Sequence, residues 1–162
     1  MKKVIIIGCC GSGKSTFARQ LHACTGIPLF HLDQLNWNAD KTTVEKTVFL
    51  KRVKEVIQKD TWIIDGNYGS SMEMRMQACD TVFFLDYPVD VCIQGIHERV
   101  GKVRTDMPWV EHEVDEDLIE FVKNYEKDDR PEVLNLLSKY KEKEIYLFRS
   151  RLDANRYLES LK

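Results

Sequence analysis

The stretch Val4-Ile5-Ile6-Ile7, followed at once by Gly8-Cys9-Cys10-Gly11-Ser12-Gly13-Lys14-Ser15, constrains this chain more than any other segment. Four β-branched residues without polar alternation read as a strand covered on both faces, as the middle of a parallel sheet requires. The next eight residues fit G-x-x-x-x-G-K-[ST], with Thr16 directly after them. Ser12 to Cys24 then reads as a helix carrying Phe17, Ala18 and Leu21 on one side, with Thr25-Gly26-Ile27-Pro28 ending it. Gly8, Gly11 and Gly13 let the backbone curl its N–H groups, that of Ser12 among them, around phosphate oxygens. Lys14 then reaches the outer phosphates, and the Ser15 hydroxyl is a ligand for Mg²⁺. The start of the helix adds unpaired N–H groups and a positive dipole end. Strand, glycine loop and helix in that order define a site for a nucleoside triphosphate, ATP or GTP, with Mg²⁺.

The rest of the chain repeats the alternation. Short strands are predicted at Leu29 to Leu32, Trp62 to Asp65, Val82 to Leu85 and Ile145 to Phe148. Between them, Val44, Val48, Val53, Val56 and Ile57 recur near helical spacing, with Thr42-Thr43-Val44-Glu45 resembling a capping box, so a helix is expected over Thr43 to Lys59. Ser70 with Glu73 is expected to cap a short helix through Ala78, and Pro88 opens another that ends near Gly101. Ser150 with Asp153 caps a last helix through Leu161. Alternating strands and helices imply an α/β fold, a parallel sheet with helices on both faces. Lys102 to Arg130 breaks the pattern: it is charged and poor in aliphatic residues, which suggests a mobile excursion with some helix.

A chain of 162 residues, 43% of them hydrophobic, suits one domain over 1–162 that folds alone. Lys+Arg 24 against Asp+Glu 26 gives a net charge of -2, so no global positive field exists to collect nucleic acid or anionic membrane. The five cysteines form no C-x-x-C pair and read as apolar fillers of a reduced, cytoplasmic chain, and the histidines lack metal-ligand spacing. No run of some twenty apolar residues is present. A GTPase would carry a base-reading N-K-x-D segment, and a motor ATPase would bring a longer chain, so a small-molecule kinase is the economical reading. It is expected to act as a monomer or weak dimer on a small acceptor, with no strong intrinsic nucleic-acid binding.

The combination GCCGSGKSTFARQL, HLDQLNW, WIIDGNY and FFLDYP resembles the DNA topology modulation proteins, an adenylate kinase-related branch of P-loop proteins. That resemblance implies the P-loop NTPase fold of the nucleotide-kinase type, five parallel strands in the order 2-3-1-4-5, and a lid between the fourth and fifth, here at about 101–130. It also leaves open an alternative, a nucleotide-dependent regulator that affects DNA topology without significant kinase activity.

Candidate site residues follow. Asp65 ends a strand beside the loop, where a carboxylate holds a Mg²⁺-bound water, as a strand-end Asp-Gly does in adenylate kinases; its other reading is a cap on the turn at Gly66. Asp86 is its rival for the metal, with a helix N-cap before Pro88 as the preferred reading. Asp33 lies at a strand's carboxyl end, where ligands of open α/β sheets bind, and would orient the acceptor hydroxyl or take its proton, against a loop-stabilising hydrogen bond. In shikimate and gluconate kinases, an aspartate in a comparable place contacts the acceptor hydroxyl. Trp37, Asn67 and Tyr68 are candidates to shape the acceptor pocket, and Arg75 to hold an acceptor phosphate. Arg99 and Arg104 resemble the lid arginines of adenylate kinases, whose planar forks follow the charge of the transferring phosphoryl group.

Overall fold

The computed structural model describes residues 1–162, and it forms one α/β unit around a single five-stranded sheet. In chain order the elements are β1 (Lys3–Gly8), α1 (Lys14–Thr25), β2 (Leu29–His31), α2 (Leu32–Asn36), α3 (Lys46–Ile57), β3 (Trp62–Asp65) and α4 (Gly69–Ala78). They continue through β4 (Thr81–Leu85), α5 (Val89–Arg99), α6 (Glu116–Asp128), α7 (Arg130–Lys139), β5 (Glu144–Phe148) and α8 (Arg151–Glu159). All pairings are parallel, in the order β2-β3-β1-β4-β5.

The alternation of side chains along β1 explains its unbroken aliphatic run. Val4 and Ile6 enter one core with Phe17 and Leu21 of α1, Ile96 of α5, Val122 of α6 and Leu158 of α8. Ile5 and Ile7 enter the other, with Phe49 and Val53 of α3, Met76 of α4 and Val133 of α7. Because β1 is central and buried on both sides, its carboxyl end is fixed from every direction, and the loop after it starts from a rigid anchor.

Three local expectations are corrected. The helix expected from Thr43 begins at Lys46, because Asp40 Oδ1 accepts the backbone N–H of Thr42 at 3.0 Å and Thr43 bridges to Trp37, an Asx-type turn that takes the place of the capping box. Ser70 does not cap α4: Tyr68 precedes it at φ 34 with no side-chain cap, and Glu73 instead accepts from the Tyr140 hydroxyl at 2.9 Å and pairs with Lys139. The charged excursion is also narrower than expected. Only 100–115 is irregular, while α6 buries Ile119, Val122 and Tyr125. A further helix, α7, was not foreseen, although Pro131 at its first turn and Val133 with Leu137 at helical spacing give it a readable signature. At α8 the expected cap is present, Ser150 Oγ accepting from the N–H of Asp153 at 3.2 Å.

Candidate functional site

The carboxyl ends of β1, β2 and β3 open on a cleft of about 570 Å³. Its floor is the loop from Cys10 to Thr16, and it is lined further by Asp33 and Asp65, by Arg151 and Asn155 of α8, and by Arg99, Lys102, Arg104 and Asp106. Gly11 takes φ 78, and a Cβ there would stand 2.0 Å from the Cys92 carbonyl oxygen. The reciprocal contact is tighter still, since a Cβ on Gly95 would stand 1.9 Å from Gly11 O. Backbone of the loop therefore rests directly on backbone of α5. Gly95→Ala is expected to lower stability by about 1–3 kcal/mol through overpacking, despite the better helix propensity of alanine. A urea-denaturation midpoint equal to that of the wild type would refute the contact.

Past Gly13, α1 begins without a side-chain cap, so its first N–H groups face the cleft without intrahelical partners. Lys14 Nζ donates to Cys9 O at 2.9 Å. The Ser15 hydroxyl lies 2.8 Å from Asp65 Oδ2 and 3.0 Å from Asp106 Oδ2, and donates to one at a time. Asp65, buried, is fixed from behind by His31, whose Nδ1 stands 2.6 Å from Asp65 Oδ1. Asp33 Oδ1 accepts the Tyr68 hydroxyl, itself near Asn36. Burial raises the Asp33 carboxyl above its ordinary range, with the Tyr68 hydrogen bond and the Lys14 charge acting against that rise.

Several expected site residues take other places. Arg75 is fully buried, donates to Ser71 Oγ and to the carbonyls of Gly66, Asn67 and Tyr68, and does not line the cleft, so it is not placed to meet an acceptor phosphate there. Burial pushes its guanidinium down to about 10. Its task is to hold the turn after β3. Arg75→Met keeps much of the volume but strips three carbonyls of a charged donor, and is expected to destabilise the protein by about 2–4 kcal/mol; an unchanged urea midpoint would refute this. Asn67 Oδ1 accepts the N–H of Gly8 at 2.9 Å and so braces the glycine loop, and Asn67 is not among the residues that line the cleft. Tyr68 acts on Asp33 through its hydroxyl. Trp37 stands edge-on to Trp109 of the 100–115 loop, ring centroids 5.3 Å apart, outside the residues that line the cleft. Asp86 neither caps α5, whose N-cap is Pro88, nor faces Ser15; it receives Arg130 through Nε and Nη2, both at 2.8 Å, with Arg149 Nη1 3.6 Å away.

Arg99 and Arg104 do line the cleft. Arg99 Nε lies 2.8 Å from Glu111 Oε2, and Arg104 pairs with Asp106. Asp106, Arg19, His31 and Gly95 were not singled out in the sequence. Asp106 is 1% exposed, and although burial alone would raise its carboxyl, the hydrogen bond and charge of Arg104 hold it below the usual range. Arg19 Nη1 is 3.7 Å from Asp106 Oδ1. The oxygen donors around Ser15 are the hard type that Mg²⁺ takes. Ser12 Oγ and Arg104 Nη1 are buried without hydrogen-bond partners, the kind of orphan donors that an oxygen-rich anion satisfies.

No protein-family model matches the chain, and no curated protein matches it in sequence. Among solved structures, it resembles the shikimate kinase of Bacteroides thetaiotaomicron at 16% identity and TM-score 0.58, over 98% of this chain and 94% of that one. It also resembles the shikimate kinase of Aquifex aeolicus at 16% identity and TM-score 0.54, over 98% and 92%. At that identity the likeness establishes the fold alone, an α/β architecture shared over nearly the whole length of both chains, and the resemblance to the topology modulation proteins rests on the sequence motifs alone. No helix is long and apolar enough to cross a membrane.

Proposed function

We propose that this chain is a Mg-ATP-dependent kinase that moves the γ-phosphoryl group to the hydroxyl of a small nucleotide, nucleoside or other metabolite. The observation that carries the reading is the placement in one cleft of a phosphate loop, a Ser15–Asp65 pair and Asp33, with Arg99 and Arg104 lining the same space. Ser15 Oγ and Asp65 would hold Mg²⁺, which when bound neutralises charge on the outer phosphates. Lys14 exchanges its bond to Cys9 O for a phosphate oxygen. Asp33, with Oδ1 engaged by Tyr68, presents Oδ2 to the acceptor. The acceptor oxygen forms its bond to the γ-phosphorus as the β–γ bridging P–O bond breaks, and its proton passes to Asp33. A carboxyl raised by burial is better matched to that proton than an exposed one. Arg99 and Arg104 face the developing charge.

The test is a screen for ADP release from ATP over nucleotides, nucleosides and small alcohols. A compound that raises ADP release well above the acceptor-free rate, with phosphate recovered on the compound, is the expected result. Release at the acceptor-free rate across all of these classes would overturn the kinase reading.

A further inference from the structure

Within that kinase reading, we propose that Asp106 is a positioning residue that ties the phosphate-loop serine to the lid arginine and aims Arg104 into the cleft. Asp106 sits in the 100–115 loop, 91 residues from Ser15 in sequence, yet its Oδ2 is 3.0 Å from Ser15 Oγ. The same carboxylate receives Arg104 through Nε at 3.2 Å and Nη2 at 2.5 Å. A guanidinium gripped along that edge is fixed both in plane and in direction. Its remaining nitrogen, Nη1, is buried without a hydrogen-bond partner, and its nearest carboxylate oxygen, Glu111 Oε1, is 3.7 Å away. A buried cationic donor is costly to leave unpaired, and the cleft it borders is floored by a phosphate loop. The free nitrogen therefore marks where a phosphate oxygen completes the arrangement.

The neighbouring contacts support the seat of this loop. Arg19 of α1 reaches the Thr105 hydroxyl at 3.3 Å, and Gln34 of α2 donates to the Thr105 carbonyl. Asp106 is thus held over Ser15 from two elements of the core domain, and Arg104 inherits its placement from Asp106. The opposite role, an internal anion that blocks Ser15 and Arg104 until nucleotide displaces it, uses the same contacts but reverses the sign of every substitution. The orphaned Nη1 and the separate engagement of Lys14 with Cys9 O favour the positioning role, because a plug would be expected to consume those donors.

The experiment is calorimetric titration of Mg-ATP into wild type, Asp106→Asn, Arg104→Ala and the double variant. Each single change is expected to raise Kd about tenfold, 1.4 kcal/mol. The double variant should bind no more weakly than Arg104→Ala, because Asp106 acts through that arginine. Melting of the nucleotide-free proteins reads the cost of breaking the buried Asp106–Arg104 pair separately from the loss of affinity. Should Asp106→Asn fail to fold, Arg104→Lys carries the same tenfold expectation, since an ammonium keeps the charge but cannot be gripped along two nitrogens. Asp106→Asn binding Mg-ATP as tightly as wild type or tighter, Arg104→Lys binding at wild-type strength, or losses that add in the double variant, would overturn the proposal. A wild type that binds Mg-ATP with this coupling but phosphorylates no acceptor would remove the kinase reading and leave the Asp106 assignment in place.

Discussion

Lys14→Ala is expected to abolish thermal protection by Mg-ATP and to slow phosphoryl transfer by on the order of 10²–10³-fold, the scale seen when one preorganised donor to a developing charge is removed. Lys14 lies at the start of α1, partly exposed, and its one hydrogen bond is to the Cys9 carbonyl. The folded state loses little, so stability without nucleotide should change by no more than about 0.5 kcal/mol. A ligand that prefers the native state stabilises it by mass action, and weaker binding removes that shift. Thermal scans with and without Mg-ATP read both effects at once. Equal protection of wild type and variant would show that the triphosphate does not lie on this loop.

The second large effect concerns Asp33. Asp33→Asn is expected to lower phosphoryl transfer by on the order of 10²–10⁴-fold while leaving Mg-ATP affinity nearly intact, because the amide keeps the shape but cannot take the proton. Stability should move the other way. A carboxyl whose pKa is raised in the folded state favours folding in its protonated form, so the ionised form weighs against the fold at neutral pH, and that penalty fades as pH falls through the folded-state value. Removing the charge while keeping an acceptor for the Tyr68 hydroxyl is therefore expected to raise stability by about 1 kcal/mol, the trade of activity against stability common at working sites. The same shift predicts that transfer declines on the acid side earlier than for an ordinary aspartate. Transfer by Asp33→Asn at the wild-type rate, measured with the acceptor the screen finds, would reassign Asp33 to tying α2 to the turn after β3 through Tyr68.

Most of the sheet was legible because its signals are local. An aliphatic run against a glycine loop has few other uses, and the runs at Trp62 and Val82 are equally unambiguous. The strand order came from resemblance and not from the residues, since nothing in a buried strand states its neighbour. Helix starts were the weak point. At Thr42 and Ser70 the residue types of a cap are present, but an aspartate two residues earlier in one case and a lysine on a distant helix in the other had a better use for them. The glycine loop lies where the sequence put it, on the floor of the cleft. Arg75 shows what sequence cannot price: an arginine on a helix facing a turn reads as a ligand group until its burial is known. Asp106 was invisible for the reverse reason. It sits in a polar stretch among many charges, and only the folded loop singles it out by placing it on a serine far back in the chain.

The edge-on pair of Trp37 and Trp109 gives the protein a built-in optical gauge. One indole belongs to the turn after α2 and the other to the loop that carries Arg104 and Asp106, while the third, Trp62, is wholly enclosed in the sheet. Any swing of that loop would separate the two rings and wet them, moving their emission to longer wavelength against the constant blue signal of Trp62. Whether that loop moves when nucleotide is added could thus be read in real time in the unlabelled chain, by mixing with nucleotide in a stopped-flow fluorimeter.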